Sequence, residues 1–374
     1  MDILFLEDCC EILDSMRVPI TASDRKEGKY PYYGANGIQG HVSDYIFDDE
    51  LVLLAEDGGN YGSKDKPIAY RVSGKCWVNN HAHVLKPKEG LDVDYLCYSL
   101  MFYKVEGMIN GATRQKLTQA AMKRMRIPFR DINEQQQIVA ELNCIIGIKE
   151  QRLRELKLLD DLSKARFVEM FGDMYLNSKA WSETKLEDMA DIVSGITKGR
   201  KTRAEDLTEV PYMAVSNVKD GYIDWTTVKT IEATQQEIVQ YRLLPNDILM
   251  TEGGDPDKVG RGAIIKEIIE NCIHQNHIFR VRLDQSVMLP EFFAEYLQHQ
   301  RSKNYFLRCA KQTTGIASIN MKQLRALPVL VPPLSEQGGF VLFKEQVDKS
   351  KVAIQKSLDE TKILFDSLMQ EYFG

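Results

Sequence analysis

Vicinal Cys9-Cys10, the alternating His81 and His83, and the run Asp255-Pro256-Asp257-Lys258 are the places in this 374-residue chain where residue type and spacing could do chemistry. Adjacent thiols could exchange disulfides, but neither cysteine has a histidine, lysine or arginine neighbour to lower its pKa, so both read as structural. His81 and His83 would point to one face of a strand and could pair on a metal. Only Cys76 lies nearby to add to them, which is short of a ligand set, and no metal is expected. Two acids followed by a lysine suit phosphodiester cleavage, yet no (D/E)xK follows at useful spacing, and the run reads as a turn with a surface lysine. The sequence also lacks GxGxxG, GxxxxGK[ST], HExxH and GxSxG, and the Asn/Asp-Pro-Pro-Tyr/Phe signature of amino-methyltransferases. None of these segments offers a catalytic residue or a cofactor site, although a self-contained DNA-modifying enzyme stays open at this point.

Binding chemistry is better represented. Residues 107–130 hold no acid but carry Arg114, Lys116, Lys123, Arg124, Arg126 and Arg130. Residues 296–335 likewise hold none and carry Arg301, Lys303, Arg308, Lys311, Lys322 and Arg325. A third cluster, Lys198, Arg200, Lys201 and Arg203, is flanked by Gly195 and Gly199. One charge run is ordinarily a solvated face; two of equal size at equivalent places suggest one task done twice. Phosphates call for Lys and Arg within reach. Polar residues that suit base edges lie in the same regions. The first holds Tyr32, Tyr33, Asn36, Asn80, His81, Gln115 and Lys116 with Arg114; the second holds Asn217, Lys258, Arg261, Asn276, His277, Lys311, Thr313 and Thr314. Asn-Gly and Gly-Gly pairs there also mark plain turns, so the expectation attaches to the regions more than to single atoms.

Two repeated elements must position these residues. Shifting the chain by 202 places 127–172 on 329–374 without a gap. Glu134-Gln135 meets Glu336-Gln337, Phe171-Gly172 meets Phe373-Gly374, and Val139, Lys149, Leu156, Leu162 and Glu169 meet identical residues between them. Leu6-Glu7-Asp8 and Asn80-His81 recur less strictly as Leu186-Glu187-Asp188 and Asn276-His277. Each repeated segment reads as a proline-free helix of some 38 residues, spanning roughly 57 Å. Asn133 and Ser335 are its expected N-caps. Ile138, Leu142, Leu153 and Leu156 in one copy, and Phe340, Phe343, Val347, Ile354 and Leu368 in the other, form apolar stripes suited to mutual packing. The intervening regions look mixed, with short strands and turns in YPYYGANGIQGHV, DELVLLAEDGG and NDILMTEGG.

The chain has ordinary globular composition, with 44% hydrophobic and 27% charged residues. Its net charge of −6 disfavours coating of nucleic acid through bulk charge while leaving local basic faces open. Seven scattered cysteines without CxxC, no signal-like start and no long apolar run predict a reduced, cytoplasmic protein without membrane contact. The expected fold is α+β, with two α/β lobes joined by two long coiled-coil helices in a pseudo-two-fold repeat. The expected bounds are 1–130 and 175–332 for the lobes, and 131–174 and 333–374 for the helices.

YPYYGANGIQGHV (30–42), YRLLPNDILMTEGG (241–254) with VGRGA after it, QNHIFRVRL (275–283), LPVLVPPLSEQ (327–337) and the closing EYFG together resemble the DNA-specificity subunit of Type I restriction–modification systems. INEQQQIVAELN (132–143) and EMFGD (169–173) repeat two of these pieces, although Arg130-Asp131 stands where the second copy has Pro332-Pro333. The resemblance implies two target-recognition domains on a ruler of two long antiparallel coiled-coil helices, each domain reading half of a split site in double-stranded DNA. It also implies docking of two copies of a DNA adenine methyltransferase subunit, which a restriction subunit joins. The resemblance further implies a subunit that is not an enzyme, with no active site or cofactor of its own, since S-adenosylmethionine and base flipping then belong to the partner. Since the two regions differ, the target should be asymmetric. The competing reading is a coiled-coil scaffold with two ligand- or protein-binding α/β lobes.

Overall fold

A computed structural model describes residues 2–111, 115–200, 206–255, 259–313 and 315–374. The chain divides into two compact units, Met1–Glu155 with Ile354–Gly374, and Leu156–Ala353.

In the first unit a six-stranded sheet runs in the order Cys10–Ile12, Ala82–Pro87, Phe47–Ala55, Ala69–Val78, Tyr30–Gly34 and Gly37–Val42. The apolar run at the centre of Phe47–Ala55 is buried on both sides, and the period of two divides it. Leu51 and Leu53 pack with Phe47 and Val72. Val52 and Leu54 pack with Leu85, Tyr95 and Leu96. Tyr95 and Leu96 come from the helix Val93–Met101, whose start is capped by Asp92 accepting from the amides of Asp94 and Tyr95. A ribbon of Asp2–Phe5 against Arg126–Phe129 leads into the first long helix.

The second unit carries a four-stranded antiparallel sheet, Ala190–Ser194, Ile278–Leu283, Ile248–Thr251 and Gly262–Ile264, and a three-stranded one, Lys229–Ala233, Thr208–Met213 and Ile273–His274. Alternation again sorts the strand residues. Ile248 and Met250 join Phe279 and Phe292, and Leu249 joins Met213 and Ile278. The ribbon Ser182–Lys185 with Pro328–Val331 stands before the second long helix as its counterpart does before the first.

The duplication is visible atom by atom. Leu6 N donates to Met125 O, and Leu186 N donates to Leu327 O. Gln135 accepts from Asp92 N at 2.8 Å and donates to the carbonyls of Gly90 and Arg130. Gln337 accepts from Leu289 N at 2.8 Å and donates to those of Val287 and Pro332. Both glutamines are fully buried, which explains why Glu-Gln recurs at the shift of 202.

The long helices are Ile132–Phe171 and Leu334–Phe373, 40 residues each. In the first unit Tyr372 and Phe373, at the end of one helix, meet Glu141 on the first half of the other and Tyr95 beside it. In the second unit Phe167 and Phe171, at the end of the first helix, close on Phe340 at the start of the second, and Lys351 pairs with Asp160. End meets start in each unit, so the helices run antiparallel.

Ile138, Leu142, Phe340 and Val347 are buried, and Leu156, Phe343, Ile354 and Leu368 half-buried, but Leu153 is 49% exposed. At about 100° per residue Lys149, Arg152 and Leu156 stand within about 40° of Ile145 around the helix, whereas Leu153 stands about 80° from it. The caps also differ from expectation. Asp131 Oδ1 accepts from the amides of Asn133 and Glu134, so Asp131 caps the first helix and Asn133 lies inside it. Ser335 likewise sits within the first turn of a helix that begins at Leu334, and the amides of Glu336 and Gln337 meet the carbonyl of Pro333.

Candidate nucleic-acid interface

In the first unit three chain reversals meet at one rim. Asn36 leads the turn between Tyr30–Gly34 and Gly37–Val42, where Gly37 takes φ 106°. Its Nδ2 donates to Gly58 O at 2.9 Å, in the segment that leaves Phe47–Ala55. Gly58 N donates to Gln115 O, Leu117 N to Glu56 O, and Glu56 N to His81 O. The turn carrying Asn80 and His81 is held by Asn79, whose Oδ1 accepts from His81 N. Asn36, Asn80 and Gln115 are exposed, Lys116 nearly half so, and His81 a third. Residues scattered from 36 to 116 are thus brought together.

Tyr32 corrects the expectation. It is 1% exposed, its hydroxyl accepts from Ile20 N at 3.1 Å, and the Arg25 guanidinium lies over its ring at 4.2 Å. Tyr32 and Tyr33 point to opposite faces of their strand, so the pair could not both face outward. Tyr33 is half-buried against Tyr70.

Beneath the rim lies a buried ionic network. Asp14 accepts from Val84 N and Gln119 Nε2 and lies 2.7 Å from His83 Nδ1. His83 Nε2 faces Leu117 O at 2.9 Å. Glu56 takes Arg17 Nη1 at 2.5 Å and Lys116 Nζ at 2.8 Å. Burial pushes the Asp14 and Glu56 carboxyls up, but their hydrogen bonds, from His83 to one and from Lys116 and Arg17 to the other, bring both below the usual range. Asp14, Glu56 and His83 place possible metal ligands within 4.8 Å of one another. Arg17 already stands between the carboxylates, so the arrangement works as an ion-pair network. His81 lies outside it, paired with Asp57 instead.

The second unit rebuilds the rim with other residues. Glu252 N donates to His277 O, and Ile319 N to Glu252 O, repeating the bonds of Glu56. Gly253–Gly254 pairs with Ala317 and Ser318 of the hairpin that contains Lys311–Thr313. His277 is exposed, Asn276 and Arg261 half-buried, and Lys198 and Lys311 exposed. Two residues are corrected. Asn217 is 1% exposed; it accepts from Ala214 N and donates to the carbonyls of Asp224 and Thr227, so it ties a loop together. Arg200 is clamped by both carboxylate oxygens of Glu237 and by Glu232 O, and Glu237 is held down to about 2 chiefly by that bond. Arg114, Lys201, Arg203, Lys258 and Thr314 lie outside the described residues.

The basic runs are also divided in use. Arg130 is tied to Glu134 and Tyr372 O, Arg301 to Glu183 and the carbonyls of Met174 and Tyr175, and Arg308 to the Tyr175 hydroxyl. These cations serve the fold, whereas Arg124, Arg126, Lys322 and Arg325 remain exposed. The residues that sequence reasoning passed over are Glu56, Asp57 and Glu252. They stand in the Glu-Asp-Gly-Gly and Glu-Gly-Gly segments, which looked only like turn markers.

Residues 1–158 and 178–362 match the family model described as the Type I restriction modification DNA specificity domain. A Haemophilus influenzae protein named as a putative type I restriction enzyme specificity subunit is 27% identical over 368 residues, 94% of this chain and 89% of that one. The EcoKI specificity subunit of Escherichia coli is 22% identical over 377 residues, 92% and 81%. The crystal structure of the S subunit from M. genitalium superposes with a TM-score of 0.59 at 15% identity, covering all of this chain and 96% of that one. A chain from work on complex assembly and conformational transition of the type I R-M system gives 0.60 at 16% identity, covering all of this chain and 97% of that one. Both share the fold.

Proposed function

The chain belongs to the Type I restriction modification DNA specificity family, and from that premise we propose that it is the non-catalytic subunit that chooses the DNA sequence on which a methylation and restriction complex acts. The observation that carries this reading is the doubled rim: each unit presents, at equivalent turns, exposed or half-buried polar and cationic side chains at the edge of a sheet.

Lysines and arginines at the rims set register on phosphates, and Asn36, Asn80, His81 and Gln115 in one region, with Asn276, His277 and Lys311 in the other, meet base edges. Regions 1–130 and 175–332 are the readers, and the helical segments 131–174 and 333–374 are the spacer between half-sites. Because the rims carry different residues, the two half-sites differ and the target is asymmetric and interrupted.

Two copies of a DNA adenine methyltransferase subunit dock on the helical segments, and a restriction subunit joins the assembly. Leu158, Val168, Leu342, Val352 and Ile363 support this docking, since each leaves half or more of its surface to solvent. Among the described residues no helix is long and apolar enough to cross a membrane.

The test is binding of the methyltransferase-bound chain to duplex DNA across a salt series. Several phosphate contacts require log affinity to fall steeply with log salt, at about 0.9 per contact. A flat line would reject the reading in favour of a scaffold. Methylation mapping of a host genome with the gene present and deleted should show one interrupted motif disappear.

A further inference from the structure

Each rim holds a histidine locked to a carboxylate, and the two pairs are built from different positions. In the second unit His277 Nδ1 lies 2.6 Å from Glu252 Oε2. In the first, His81 Nδ1 lies 2.6 Å from Asp57 Oδ1. The backbone equates Glu252 with Glu56, since each donates its amide to the histidine carbonyl and its carbonyl accepts from the amide two residues before a short helix (Ile319 before Met321–Arg325, Leu117 before Gln119–Lys123). Glu56, however, is turned inward to Arg17 and Lys116. The carboxylate for His81 comes instead from the next residue, Asp57, where the second unit has Gly253. A one-residue step along an extended chain reverses the face a side chain takes. The pairing has thus been kept while its supplier has moved, which a merely inherited turn would not require.

The geometry points to His277 and His81 as specificity-determining residues that read an exocyclic amino group, adenine N6 or cytosine N4, one in each half-site. This rests on the proposed role in choosing DNA. The carboxylate engages Nδ1, fixes the ring's orientation and assigns any outward contact to Nε2. An imidazole whose single proton is on Nδ1 offers Nε2 as an acceptor. The carboxylate beside it repels a phosphate oxygen but attracts an amino hydrogen, and adenine and cytosine present such donors in the major groove. His277 has the exposure for this, at 56% of its side chain, and Asn276 precedes it as Asn80 precedes His81.

The experiment maps genomic methylation in hosts expressing the complete methyltransferase complex with wild-type chain, His277→Ala, Glu252→Gln or His81→Ala. In parallel, each complex selects from a randomised duplex pool. His277→Ala should relax one A or C position in one half-site by about tenfold or more, leave the other half-site intact and keep the wild-type salt slope. Glu252→Gln, which preserves shape, should relax the same position less, and His81→Ala should relax a position in the opposite half-site. If methylation is lost, the same relaxation in the selected pool supports the inference. An unchanged preference in both measurements overturns it, as does uniform weakening with a salt slope smaller by about one, which marks a phosphate contact. A wild-type complex that yields no interrupted motif overturns the inference together with the reading beneath it.

Discussion

Phe340 meets Phe167 edge to face, with ring centroids 5.2 Å apart, and this contact joins the first turns of one long helix to the last turns of the other within the second unit. Phe171 and Phe292 complete the cluster, and Phe340 is 1% exposed. Truncation of an aromatic ring at such a site forfeits both transfer energy and the contacts around the vacated space. Phe340→Ala should lower the stability of the second unit by about 3–5 kcal/mol, read as a shift in its denaturant midpoint. A change below about 1 kcal/mol would mean that the helix ends are held elsewhere.

Gln135 and Gln337 do the same work 202 residues apart. Each closes three backbone hydrogen bonds from a fully buried site, so replacement by leucine leaves one amide and two carbonyls without a partner. Unpaired buried groups cost about 1–3 kcal/mol each, part of which local relaxation recovers. Gln135→Leu and Gln337→Leu should each cost about 3 kcal/mol. Because they share no partner, the double variant should lose the sum, as urea titration would show.

His274 predicts a pH dependence. It is wholly buried between the carbonyls of Tyr241 and Val193, and burial pulls its pKa down from 6.5 to about 4. The folded pKa lies below the unfolded one, so as pH falls the unfolded chain takes the proton first. Stability is therefore intact above about 6.5 and is lost progressively towards 4. At pH 5 the loss should be about 2 kcal/mol relative to pH 7. His274→Gln should abolish that increment, and an equally steep decline in the variant would assign it to other groups.

The helices and the duplication were legible because they rest on patterns that survive averaging. Glu-Gln marks a buried amide that must satisfy three backbone groups, and Phe-Gly marks a core ring followed by a left-handed stop, seen at Gly172 with φ 73°. Gathering the rim residues was partly legible too, since turn-forming pairs flank them. What failed was facing. Nothing in Tyr32-Tyr33 says which ring enters the core, and Asn217 reads identically whether it meets DNA or caps its own loop. The carboxylates escaped notice for a related reason. A search for cations treats acids as exclusions, whereas here Asp57 and Glu252 orient the imidazoles beside them. Leu153 failed through arithmetic, because a stripe counted by residue type skipped the charged positions through which the seam continues.

Two glycines that look alike in sequence should respond oppositely to alanine. Gly147 sits in mid-helix, exposed, and a Cβ there would meet nothing within 4 Å. Alanine removes unfolded-state freedom and adds helix propensity, so Gly147→Ala should stabilise the first unit by about 0.5–1 kcal/mol. At Gly195 a Cβ would stand 1.9 Å from His274 O and 2.7 Å from Gln275 O. Those are backbone atoms of the segment that Ile196 joins by hydrogen bonds in both directions, through His274 O and Asn276 N. No rotamer change can make room, so the strand must separate. Gly195→Ala should then cost more than about 2 kcal/mol in the second unit. It should erase one half-site from the methylation motif while the first unit's midpoint stays where it was. Equal midpoints in Gly195→Ala and wild type would show that the chain is not packed there as closely as its backbone implies.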